Sequence, residues 1–212
     1  MNRDFFLASV MAHEAGYQST RVWLGAALVH KSKLDGEVLV SVENKSGLRS
    51  AFMITVGGAT APAALNVECS SLFADGPPKE RKIKKDGFIA FTVTKGTDLY
   101  RPALMRRIGG GGGKIEPIYG LEFDGEHMDS GDAFSMIVTK PGDYIVTNTK
   151  NGSEMRIKGN PLASRESPKV GEKLAIDVTS AGFAPPTAEV SVLSGLAFYI
   201  KTPAALSVVG PP

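Results

Sequence analysis

The spacing of apolar residues along this chain changes character once. Up to about residue 31 it follows a helical period, and from about residue 35 it alternates with a period of two. Two amphipathic helical pieces are predicted, over 4–15 and 20–30, on either side of Gly16. Phe6, Val10 and His13 share a face of the first, and Trp23, Ala27 and His30 share a face of the second. Asp4 in the first turn and Lys31 and Lys33 after the last agree with the helix dipole. Beyond Asp35, Val38, Val40 and Val42 alternate up to a turn at Asn44-Lys45-Ser46-Gly47, and 51–56 forms the returning strand. The clearest hairpin is 134–139 with 144–149. Its turn contains Pro141, which has no N–H to give a ladder, and Gly142, which accepts positive φ. A third strand leads into Arg156-Ile157, and further strands are predicted at 88–93, 104–108, 117–123, 174–178, 190–193 and 197–200.

Roughly ten short strands with no helical stretch between them predict an all-β fold. The expected architecture is an antiparallel β-sandwich of about ten strands with an N-terminal amphipathic helical segment. No linker divides the chain further, so 1–33 is assigned to the helical segment and 34–212 to a single sandwich domain. A weak internal echo links KSKLDGEVLVSV (31–42) with KIKKDGFIAFTV (82–93) and VGEKLAIDV (170–178). Each is a turn followed by a strand, which any β protein repeats.

A chain of 212 residues can bury one good core or two small ones. Its net charge of +2 supplies no general field for nucleic acid, but the charge is uneven. Lys79, Arg81, Lys82, Lys84 and Lys85, with Arg106 and Arg107, make a basic region that fits a lysine-protected strand edge or an anionic lipid surface. Stacking aromatics are scarce beside it, so nucleic acid fits poorly. Residues 115–139 carry six acidic side chains and no Lys or Arg. The single cysteine, Cys69, excludes an internal disulfide and reads as a small buried hydrophobe. The N-terminus shows no signal-peptide pattern, and its longest apolar run, 22–29, falls well short of the ~20 residues that span a bilayer. The compartment stays open.

Catalytic chemistry is thin. Gly109–Gly113 followed by Lys114 does not have phosphate-loop spacing, and the acidic loop 124–132 does not match a calcium loop. The three histidines, His13, His30 and His127, fall in no nucleophile or zinc signature. No catalytic residue, metal ligand or cofactor is assigned.

Taken in order, Asn44-Lys45-Ser46-Gly47, the Pro77-Pro78 loop before Ile83, the Asp86-Gly87 turn, the glycine-rich hairpin and FSMIVTKPGDYIVTN…MRIKG resemble the actinoporin-like β-sandwich. That family comprises sea-anemone cytolysins and fungal fruit-body lectins. The resemblance implies a membrane-active or glycan-binding protein without enzymatic activity. It also implies a headgroup or sugar pocket at Thr139, Pro141 and Tyr144, although the aromatic cluster expected after that tyrosine is replaced by Ile145-Val146-Thr147-Asn148. The same hairpin also resembles the last hairpin of a cupredoxin, with Asn148 and Asn151 where copper would need Cys and His.

The expected function is therefore that of a non-enzymatic, membrane-interacting protein of cytolysin (pore-forming) type. Phe5, Phe6 and Trp23 would contact the membrane, a lipid membrane or glycan would be the partner, and the chain would form a homo-oligomer. The alternative is a carbohydrate- or protein-binding β-sandwich module, a lectin or a structural subunit of an assembly, including a copper-free cupredoxin-like domain.

Overall fold

The computed structural model describes residues 17–109, 118–162 and 173–211. Among these the fold is all-β, with seventeen strands and a single turn of 3-10 helix at Ser71–Phe73. Seven strands repeat one plan twice. The first half contributes β2 (Ala27–Lys31), β3 (Gly36–Asn44), β4 (Arg49–Val56), β5 (Ala64–Glu68), β6 (Lys82–Ile83), β7 (Phe88–Thr92) and β8 (Tyr100–Gly109). The second contributes β10 (Ala133–Ile137), β11 (Gly142–Asn148), β12 (Ser153–Asn160), β13 (Lys173–Thr179), β15 (Thr187–Ser191), β16 (Gly195–Ile200) and β17 (Leu206–Val209), with a short additional β14 (Gly182–Ala184) after β13. The two remaining strands, β1 (Tyr17–Gln18) and β9 (Ile118–Asp124), each precede one half.

The pairings of the two halves correspond. β3 lies antiparallel between β4 and β8, β4 takes β6 in parallel, β5 runs parallel to β7, and β7 is antiparallel to β2. Likewise β11 lies antiparallel between β12 and β17, β12 takes β15 in parallel, β13 runs parallel to β16, and β16 is antiparallel to β10. The halves join where the equivalent strands β2 and β10 pair antiparallel, Leu28 opposite Phe134. This closes a seven-stranded sheet, β14-β13-β16-β10-β2-β7-β5. Antiparallel pairing of equivalent strands relates the halves by an internal twofold-like operation. The chain positions agree: Ser19 and Gly125 lie 106 residues apart. At the same offset, Gly25 and Gly131 have φ of 91° and 96°, and Gly36 and Gly142 have φ of 124° and 130°. These are left-handed conformations that glycine adopts without Cβ strain.

The first strand of each half is exchanged. β1 precedes β2 in the chain but pairs with β17 of the other half; β9 precedes β10 but pairs with β8. Two five-stranded sheets result, β6-β4-β3-β8-β9 and β1-β17-β11-β12-β15. The apolar residues of all three sheets form one continuous buried cluster, with Phe91 and Phe198 in equivalent places on β7 and β16.

Four expectations are corrected, the first being the hairpin of 134–139 with 144–149: the Pro141-Gly142 turn carries the chain from one sheet to another, β10 pairing with β16 and β2 and β11 with β12 and β17. Residues 20–30 are not helical: Val22 bridges Tyr100 and β2 sits between β10 and β7. A strand flanked on both sides and largely covered on both faces reads as a continuous apolar run, so its period of two is hidden. Because β2 lies inside the seven-stranded sheet, residues 27–31 belong to the β fold and not to a separate segment; the predicted helix over 4–15 lies outside the described residues. The sheets are also mixed, with four parallel pairs. The echo at 31–42, 82–93 and 170–178 falls on β3, β7 and β13, which are not equivalent strands.

Candidate functional site at the strand exchange

The two chain segments that lead from the exchanged strands cross near the internal axis. Ser19 on one donates its hydroxyl to the carbonyl of Gly125 on the other at 2.6 Å, and the same Oγ accepts from the Leu206 amide at 2.9 Å. A Cβ on Gly125 would run into the Ser19 carbonyl and the Thr20 backbone, so only glycine permits this approach.

Each exchanged strand has its own clasp. On β1, Tyr17 stacks on Trp23 at 4.8 Å, and its hydroxyl lies 3.2 Å from Thr139 Oγ1. On β9, Phe123 packs against the His30 ring at 4.6 Å. His30, 6% exposed, is held between two carboxylates: Nδ1 lies 2.9 Å from Asp132 and Nε2 lies 3.3 Å from Glu122. Arg106 Nη2 donates to Glu122 at 2.8 Å; its Nε lies 2.7 Å from the second oxygen but off the hydrogen-bond line, so that contact is ionic. Asp132 also accepts the amides of Lys31 and Asp129. Burial acts to lower the His30 pKa, but the hydrogen bonds and charges of Asp132 and Glu122 outweigh it, and the imidazole is raised above its ordinary value. Glu122 is lowered, burial being overcome by its bonds to His30 and Arg106.

The residues predicted for a headgroup pocket sit mostly inside. Tyr144 is 1% exposed, and its hydroxyl is occupied locally, donating to the Lys140 carbonyl at 2.8 Å and accepting the Lys140 amide at 3.0 Å. Thr139 is buried beside Tyr17, while Pro141 is exposed at the turn. Trp23, 3% exposed, faces Phe134 and Tyr17 in the core and does not present an interfacial anchor. Phe5 and Phe6 lie outside the described residues. Lys79, Arg81, Lys82, Lys84 and Lys85 are all exposed around the edge strand β6, as a protected edge requires. Arg106 and Arg107 are paired with Glu122 and Glu37, and Arg106 and Lys85 meet at Asp35, through its carbonyl at 2.9 Å and its carboxylate at 3.8 Å.

Two shallow cavities meet at Thr20 beside the crossing, about 290 Å³ with Arg49, Arg101 and Asp124, and about 230 Å³ with Glu126, Lys150 and Ser207. Arg49 is neutralised by Glu43 at 2.6 Å, and Asp124 accepts from His127 at 2.8 Å. Among the described residues no cluster suited to a metal ion occurs, and no helix is long and apolar enough to cross a membrane.

The surface feature that stands out is the outer edge of β9. Among the described residues nothing pairs with it, and it is the longest edge strand, seven residues. Ile118 and Leu121 are 56% and 52% exposed, and Ile108 on the neighbouring β8 is 68% exposed. β9 carries charge only in its second half, at Glu122 and Asp124; the other edges are shorter and carry Glu68 on β5, Lys82 on β6 and Glu189 on β15, or are only two and three residues long, as in β1 and β14. Sequence reasoning missed the His30–Asp132–Glu122–Arg106 cluster because its members are far apart in the chain; His30 and Asp132 are 102 residues apart. Comparison with family models, with curated proteins and with solved structures returned no match.

Proposed function

We propose that this protein is a binding module of structural type, a β-sandwich subunit that assembles with a second copy of itself through the open edge of β9. The observation that carries this reading is the uncharged, apolar first half of that edge, Ile118 to Leu121, beside the exposed Ile108. An edge strand without charges is a template for pairing with another strand. Glu122 and Asp124 lie beyond that half, Glu122 engaged by His30 and Arg106 and Asp124 by His127, so two copies meeting antiparallel over Ile118–Leu121 set none of those four residues against a like charge. Covering the two half-exposed aliphatic side chains on β9, Ile118 and Leu121, contributes about 1.5–3 kcal/mol per copy, on top of the backbone hydrogen bonds. The burial of Trp23 and Tyr144 favours this reading over membrane insertion, because both would have to leave the core to meet lipid.

Sedimentation velocity across a concentration series tests the proposal. The wild-type chain is expected to form a dimer that Leu121→Lys with Ile118→Lys disrupts while thermal stability is preserved. A chain that stays monomeric at hundreds of micromolar would overturn it, and vesicle binding by that monomer would bring back the membrane reading.

A further inference from the structure

β9 owes its place to residues outside its own half of the chain. It belongs by order and equivalence to the second half, yet it is laid on β8 of the first. Besides the ladder and a weak 3.8 Å contact from the Tyr119 hydroxyl to Met53 Sδ on β4, it is held there by Phe123 against the His30 ring and by Glu122 between His30 and Arg106. The equivalent of His30 in the second half, at the 106-residue offset, is Met136, so β1 is held without an ionic clasp. The charged groups around His30 are few. Arg106 faces it from β8, Glu122 from β9, and Asp132 and Asp129 from the segment before β10. Lys31 and Lys33 on its own segment are directed to Asp86 and Asp129. The flanking β7 and β10 carry no titratable side chain. With the imidazole protonated, two cations face Glu122 and Asp132 and the cluster is balanced. Without that proton, two carboxylates are left with one arginine, at sites only 13% and 2% exposed. Uncompensated buried charge is strongly unfavourable.

We propose that protonated His30 is the lock that keeps exchanged strand β9 on the first half's sheet, so that the self-assembly edge is presented while the proton is held and withdrawn when it leaves. The second clause rests on the self-pairing reading above; the first does not. The sign follows from linkage. A group raised on folding gives its full stabilisation below its unfolded value of 6.5, and that stabilisation is lost as pH rises through the folded value.

The test uses the full chain carrying His13→Gln and His127→Gln, which leaves His30 as the only histidine for NMR titration. Amide exchange at Tyr119, Leu121 and Phe123, corrected for intrinsic rates, is followed from pH 6 to 10 alongside sedimentation. Opening of β9 is expected to grow by up to about tenfold per pH unit above about 6.5 and to level off once His30 has titrated. The dimer should dissociate over the same interval. Glu122→Gln, which keeps the size of the side chain, should lower the His30 titration midpoint and flatten both curves. Corrected exchange at β9 that is indifferent to His30 titration would overturn the lock. A chain monomeric at every pH whose β9 still opens with His30 titration would overturn the self-pairing reading and leave the lock standing.

Discussion

Replacing Ser19 with alanine probes the crossing at the internal axis directly. Ser19 is buried, and its hydroxyl is the side-chain partner of two backbone groups from distant parts of the chain, the Gly125 carbonyl at 2.6 Å and the Leu206 amide at 2.9 Å. Removing one oxygen leaves both groups without that partner in a site too tight to admit a Cβ on Gly125. Each buried polar group so orphaned costs about 1–3 kcal/mol, so the substitution is expected to destabilise by about 2–4 kcal/mol. Trp23 is the only tryptophan and lies a few residues away in the core, so urea unfolding followed by its emission reports the change. With a denaturant slope of about 2 kcal/mol per molar, the midpoint should fall by about 1–2 M. The neighbouring Thr20→Ala removes only a weak 3.4 Å contact to Gln18 and should stay within about 0.5 kcal/mol of the wild type. If Ser19→Ala proves as mild as Thr20→Ala, the crossing is not a structural junction and the account of the exchange is wrong.

Further outcomes follow from other contacts. Gly125→Ala places a methyl group against the Ser19 carbonyl and should cost at least about 3 kcal/mol, seen as a thermal midpoint lowered by roughly 6 °C or more. Tyr144→Phe loses the hydroxyl that serves both the amide and the carbonyl of Lys140, at about 1–2 kcal/mol in chemical denaturation; unchanged stability with lost vesicle or glycan binding would instead return Tyr144 to the role of a ligand contact. Burial and the neighbouring Glu68 push the Cys69 thiol up to about 12, so a disulfide reagent at pH 8 should modify it only as fast as the protein unfolds. Rapid labelling of the native protein would refute that.

What was legible in the sequence was local. Alternation in Val38, Val40 and Val42 marked β3, and Pro141 with Gly142 marked the turn that opens β11, because a residue's face and a turn's φ depend on immediate neighbours. The class of fold followed from the number of such segments, and exposed lysines around β6 matched an edge. Where a strand lost its two-sided contrast, sequence failed: β2 is largely covered on both faces and reads as an apolar helix. β5, whose alternating Leu65 and Val67 follow directly on the small-residue stretch 60–64, was not read as a strand.

The tertiary structure alone decided which strands are neighbours. The exchange of β1 and β9 is held by contacts such as Ser19 to Leu206, 187 residues apart, and no local pattern encodes a partner at that distance. The internal symmetry was hidden for a related reason. Equivalent positions such as Tyr17 and Phe123, or His30 and Met136, need only suit the same place in a core, and many side chains do. Glycines at the left-handed positions kept their identity, since backbone conformation restricts the residue there. The sequence by itself determined that this chain folds into strands and where most of them turn; three-dimensional pairing determined that two halves trade their first strands, and so placed a charged cluster and an edge unpaired among the described residues on the same strand.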